Sequence, residues 1–124
     1  MYCACVFLLE RQGKTGALVE TWVCSELIKL MGISNQRFQL YFWRTQAGQE
    51  VDFLVERSGE LVAIEVKWAH RIEDSDVVSL KRCAEDLEDK LRFSIILYGG
   101  TEVISLTPKI VAIPFPIFFG IEQS

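Results

Sequence analysis

Apolar and polar residues alternate along two adjacent stretches of this chain, and a turn signal separates them. Glu50-Val51-Asp52-Phe53-Leu54-Val55-Glu56 runs into Arg57-Ser58-Gly59-Glu60, and Leu61-Val62-Ala63-Ile64-Glu65-Val66-Lys67 follows. A period of two on either side of Ser58-Gly59 predicts a β-hairpin closed by a two-residue turn. Pairing Arg57 with Glu60 and counting outward pairs Val55 with Val62, Phe53 with Ile64 and Asp52 with Glu65, and sets Glu50 opposite Lys67. Val51, Phe53, Val55, Val62, Ile64 and Val66 then make one core-facing surface.

The period changes on both sides of the hairpin. From Gly16 to Met31, Val19, Val23, Leu27 and Leu30 recur at helical spacing and Gly32 stops the run, which predicts a helix. Phe38 to Thr45 reads as a strand turning at Ala47-Gly48, so three antiparallel strands follow the helix. After a polar connection, Ser75 is the expected N-cap of a helix over Asp76 to Lys90, with Val77, Leu80, Ala84 and Leu87 as its apolar stripe. Phe93 to Tyr98 is a buried strand, Gly99-Gly100 a turn, and Val103 to Leu106 another strand. Pro114 and Pro116 punctuate the apolar tail Ile110 to Ile121, which is expected to pack as an extended segment with one helical turn. The order predicts an α/β protein, a mixed sheet covered by helices. Residues 1–15 read as a leader or a truncated upstream segment, and residues 16–124 as a single domain.

Composition changes little in this picture. The chain has 124 residues, half of them hydrophobic and about a quarter charged, which suits one globular domain with a sizeable core. Its net charge of −4 is not that of a strongly basic nucleic-acid binder, although a metal-dependent nuclease needs acidic residues and only local phosphate contacts. Cys3, Cys5, Cys24 and Cys83 form no paired C-x-x-C set and His70 is the single histidine, so a structural zinc site is not expected. Free thiols in a reducing compartment and a cytoplasmic location are the expectation. No stretch has the length of a membrane span, and Tyr2 to Leu9 lacks the basic flank of a signal peptide.

The hairpin register carries the chemistry. It sets the Asp52 and Glu65 carboxylates roughly 5 Å apart at Cβ, where like charges repel by roughly 3 kcal/mol at an effective dielectric near 20. A divalent metal turns that repulsion into a binding site. Magnesium takes one or two carboxylates and keeps several waters, and phosphodiester hydrolysis needs a metal to polarise a phosphoryl oxygen and acidify a water. Lys67 projects from the same face as Glu65, placed to steer the water or stabilise charge on the phosphate, and the Val66 carbonyl is a further potential ligand. The competing reading is a solvated sheet face with a surface Glu50–Lys67 ion pair.

Asp-x(12)-Glu-x-Lys across a hairpin, after a helix carrying Glu20, resembles the PD-(D/E)XK nuclease superfamily with its restriction-endonuclease-like fold. More narrowly, Gly16-Ala17-Leu18-Val19-Glu20 with Glu26-Leu27, Tyr41-Phe42-Trp43-Arg44-Thr45, Gly48-Gln49-Glu50-Val51-Asp52-Phe53 and Ile64-Glu65-Val66-Lys67 resemble the domain of unknown function found at the C-terminus of many prokaryotic AAA+ ATPases. The resemblance covers roughly Gly16 to Phe119. It implies a Mg2+ or Mn2+ site at Asp52 and Glu65, with Glu20 as a further ligand and Lys67 as the catalytic lysine of a nuclease acting on DNA. Val51 stands where the superfamily motif has proline. The family's ATPase module, which lies upstream, would be supplied in cis or trans, and nucleases of this fold often pair as homodimers. The alternative is a non-catalytic recognition module for nucleic acid or protein.

Other motifs weigh less. Gly13-Lys14-Thr15 before a helix invites a P-loop reading, but that loop needs a glycine where Leu8 stands, so no nucleotide site is expected there. Arg44 is the candidate phosphate contact, and Trp43 is expected to be buried rather than stacked on a base. Lys81-Arg82 and Lys90 with Arg92 read as a solvated helix face and its C-terminal end, and His70 as a lone exposed histidine.

Overall fold

A computed structural model of the chain describes residues 2–3 and 17–121. The elements are β1 (Tyr2–Cys3), α1 (Ala17–Gly32), β2 (Gln39–Arg44), β3 (Glu50–Arg57), β4 (Glu60–Lys67), α2 (Asp74–Leu87), β5 (Leu91–Tyr98), β6 (Ile104–Thr107), β7 (Ile110–Pro114) and α3 (Phe115–Phe119). The strands form one open sheet in the order β1-β2-β3-β4-β5-β7-β6, six of them full strands and β1 a two-residue stub beside β2. Pairing is antiparallel from β1 to β4, parallel from β4 through β5 to β7, and antiparallel again at β6. The sheet is therefore mixed, helices lie on it, and the α/β expectation holds. The Gly13-Lys14-Thr15 motif, Cys5 and most of the expected leader lie outside the described residues.

The β3–β4 hairpin forms in the expected register: Arg57 pairs with Glu60, Val55 with Val62 and Phe53 with Ile64. Ser58 and Gly59 both have positive φ, 53° and 83°, the requirement of the turn whose twist matches the strands.

One expectation about this hairpin fails. Tyr41 pairs with Leu54 but Trp43 pairs with Val51, so Asp52 and Phe53 together oppose Phe42. The extra residue makes a β-bulge and breaks the alternation, and Val51 joins Leu54 in the core under α2 while Phe53 packs under α1. The predicted single face of Val51 and Phe53 does not exist.

Two cores result, one on each side of the sheet. Val23, Cys24 and Leu27 of α1 and Phe115 of α3 cover Phe53, Ile64, Ile95 and Leu97. Leu80 and Cys83 of α2 cover Trp43, Val51, Leu54, Ala63 and Ile96. Leu30, placed in the α1 stripe by its spacing, is 44% exposed, and in α2 Cys83 takes the buried place expected of Ala84. Cys24 and Cys83 are buried. Burial, with the nearby charges of Asp86 and Glu65, pushes the Cys83 thiol up to about 12, which leaves it protonated and unreactive.

The start of α2 also differs from expectation. Its N-cap is Glu73 rather than Ser75. Asp76 donates its N–H to the Glu73 carbonyl at 2.9 Å, and its carboxylate accepts the Glu73 N–H at 2.6 Å. An acid three positions into the helix thereby satisfies a terminal donor. At the other end Glu88 turns to φ 50°, and Glu88–Lys90 is a separate 3-10 turn. The tail holds a strand not expected from its prolines: β7 lies parallel to β5, and Pro114 ends it opposite Tyr98. Pro116 then sits in the first turn of α3, where its missing N–H is harmless.

Candidate active site at the end of the central hairpin

The β3–β4 ladder stops at Phe53 and Ile64, and beyond it a side chain replaces a backbone pair. Asp52 is 3% exposed, and its Oδ2 accepts the Val66 N–H at 2.8 Å. The bulge thus turns Asp52 into a clamp between β3 and β4. Glu65, next in β4, is half-buried and shares a hydrogen bond with Asp52. Desolvation first, then the Asp52 charge and that hydrogen bond, then the charges of Glu50 and Glu20, hold the Glu65 carboxyl well above the usual range.

Glu20, on the first turn of α1, is 8% exposed and close enough for its charge to act on Glu65. Three acids from α1, β3 and β4 therefore surround one sheet end. Among the described residues, no three Asp, Glu, His or Cys side chains converge closely enough to hold a metal ion by themselves. The donors present at Asp52 and Glu65 are hard oxygens from two carboxylates. They fit magnesium or manganese with its remaining positions filled by water or phosphate, and do not fit a closed protein cage.

Lys67 does not pair with Glu50. Its Nζ binds the Asp76 carboxylate, the same group that caps α2, and both side chains are largely buried. Glu50 instead pairs with Arg44 at 3.5 Å, and the Arg44 guanidinium lies 5.8 Å from the centre of the Phe42 ring. Trp43 is 4% exposed and donates Nε1–H to Asp86 at 2.9 Å, a buried role as expected. His70 is exposed, and its Nδ1 lies 2.7 Å from the Gly99 carbonyl oxygen. That oxygen only accepts, so Nδ1 carries the proton. Asp76 is the residue that reading the sequence missed. Its only local signal was an acid three positions after Glu73, and its contact with Lys67 depends on how α2 docks.

A family model described as "Domain of unknown function (DUF4143)" matches residues 15–118. Over 106 residues the chain is 34% identical to an uncharacterized protein of Mycobacterium bovis and to an uncharacterized protein of Mycobacterium tuberculosis, covering 86% of this chain and 22% of each relative. The chain thus spans about a fifth of the length of the curated relatives it matches. No solved structure matches it, and no described helix is long and apolar enough to cross a membrane.

Proposed function

We propose that this chain, which belongs to the DUF4143 family, is a metal-dependent nuclease-like domain of the PD-(D/E)XK type that hydrolyses DNA phosphodiesters alongside an AAA+ ATPase module. The observation that carries this reading is the Asp52–Glu65 carboxyl pair, destabilised by its own charge and followed two residues later by Lys67. Two acids set side by side on neighbouring strands, with the Glu65 carboxyl raised by desolvation and by the Asp52 charge, suit a site completed by a cation.

Asp52 and Glu65 would hold magnesium or manganese, with the Val66 carbonyl and Glu20 beside them. The ion supplies Lewis-acid charge to the phosphoryl oxygen and acidifies water. Glu65 would serve as a ligand in its deprotonated form. Asp52 keeps its hold on the Val66 N–H and so fixes the spacing of the two strands. Lys67 leaves Asp76 to meet the charge developing on the phosphate. Arg44, ion-paired with Glu50, would contact a neighbouring phosphate, and a second copy of the chain would bring a second site.

The test is cleavage of linear, circular, single-stranded and duplex DNA with magnesium or manganese by wild type, Asp52→Ala and Lys67→Met. Cleavage abolished in both variants supports the reading. Equal cleavage by Asp52→Ala, or none by folded wild type on any form, counts against it.

Two observations favour the second reading, a recognition module for nucleic acid or for an ATPase partner. Lys67 is engaged by Asp76, and no three-donor cage exists among the described residues. A module of that kind keeps its partner affinity in Asp52→Ala.

A further inference from the structure

Past the ends of β4, β5 and β7, at the same end of the sheet as the acid cluster, lies a cleft of about 550 Å3 that the chemistry above does not use. Its walls include Val19, Trp22, Trp68 and Phe115, and Gly99-Gly100 forms part of its lining. Its size is that of a small-ligand site. Trp68 follows Lys67 at the end of β4 and Val19 precedes Glu20 in the first turn of α1, so the cleft and the candidate site share this end of the sheet. Trp68 leaves 74% of its surface in solvent and meets the buried Phe115 ring at 5.7 Å with a 42° tilt. Trp22 is 40% exposed and braced edge-on by Phe119 at 5.0 Å. The glycine lining is enforced by its neighbours: a Cβ on Gly100 would lie 2.2 Å from the Tyr98 ring, and one on Gly99 3.1 Å from the Ala69 carbonyl oxygen.

We infer that this cleft receives an unpaired nucleobase, stacked on Trp68, from the nucleotide next to the phosphate held at Asp52, Glu65 and Lys67. The position of that phosphate rests on the nuclease-like reading. A stacked duplex base cannot enter such a cleft, so the substrate class is single-stranded or locally unpaired nucleic acid. Charge points the same way. Duplex binding draws on many lysine and arginine contacts to phosphate, whereas this chain has a net charge of −4. Stacking on an aromatic ring needs no net positive charge, and every base offers a π-face. A ring anchored on one side by Phe115 and open on the other suits that contact.

The test uses the full chain without metal, in EDTA, so that binding is read apart from cleavage. Anisotropy of a labelled oligothymidylate is compared with that of a duplex of equal length, for wild type, Trp68→Ala and Trp68→Phe. The single strand is expected to bind at least about tenfold tighter than the duplex, with about a tenfold loss in Trp68→Ala and most affinity kept in Trp68→Phe. An abasic oligonucleotide is expected to bind wild type as weakly as the intact one binds Trp68→Ala. Because the side chain is mostly in solvent, thermal melting is expected to show Trp68→Ala folded. Equal affinity for both nucleic acids, wild-type affinity in Trp68→Ala, or no binding by wild type overturns the inference. Metal-dependent cleavage is scored separately, so stacking without cleavage defeats the nuclease reading alone, and cleavage indifferent to Trp68 defeats the inference alone.

Discussion

The Asp76 oxygen that binds the Lys67 ammonium is the same oxygen that accepts the Glu73 N–H at 2.6 Å. One atom thus joins the end of β4 to the start of α2, and the helix cap and the candidate catalytic lysine are energetically coupled. Asp76→Ala removes both contacts and is expected to lower stability by about 1–2 kcal/mol. Asp76→Asn keeps an oxygen for the cap and should lose clearly less. Urea unfolding of the two variants separates the contributions, and equal losses would show that the cap is not shared in this way.

Asp52 has two separable roles, as an acceptor and as a charge. Asp52→Ala leaves the buried Val66 N–H without its acceptor, which costs about 1–3 kcal/mol. Asp52→Asn keeps an oxygen there and removes the repulsion with Glu65, so its unfolding midpoint should equal or exceed that of wild type. Manganese binding, followed by calorimetry, is expected to be lost in both variants.

The raised Glu65 carboxyl makes a signed prediction. Its ordinary value is 4.5, and the folded chain holds the proton to higher pH than the unfolded chain does. Between the two values the native state binds more protons, so stability falls as pH rises through the folded value and stays lowered above it. Glu65→Gln should therefore gain on wild type as pH rises above the ordinary value of 4.5, with the difference vanishing below it. Manganese affinity of wild type should rise with pH through the same window, because the ligand must lose its proton.

The hairpin turn offers a purely conformational test. Gly59 sits at φ 83°, so Gly59→Ala is expected to destabilise by about 1 kcal/mol. Ser58 at φ 53° is tolerated less well than asparagine would be in that region. Ser58→Asn should stabilise by about 0.5 kcal/mol in thermal unfolding.

Alternation and turn chemistry made the hairpin legible, because both act locally: the strand period and Ser58-Gly59 set the register that brings Asp52 beside Glu65. The bulge was not legible, because it is a mismatch between β2 and β3 and neither strand reveals it alone. It moved Val51 to the other core. The N-cap moved from Ser75 to Glu73 because the deciding acceptor is the Asp76 carboxylate, a contact that spacing does not weight. The prolines around β7 read as interruptions, yet Pro114 closes that strand and Pro116 opens α3. The Glu50–Lys67 pairing failed for a tertiary reason, since Arg44 on β2 and Asp76 on α2 each supplied a nearer partner.

β4 has a neighbour on each side, β3 antiparallel and β5 parallel, and Glu65, Val66 and Lys67 are all in register with β5. Shifting the Glu65 backbone would mean breaking its ladder with β5 in the middle of the sheet, so the fold fixes that half of the acid pair. The connection that follows, from Trp68 to Glu73, is largely exposed and has no strand neighbour. A change of shape at this end of the molecule therefore costs least in that connection, while the Glu65 backbone stays where the ladder sets it.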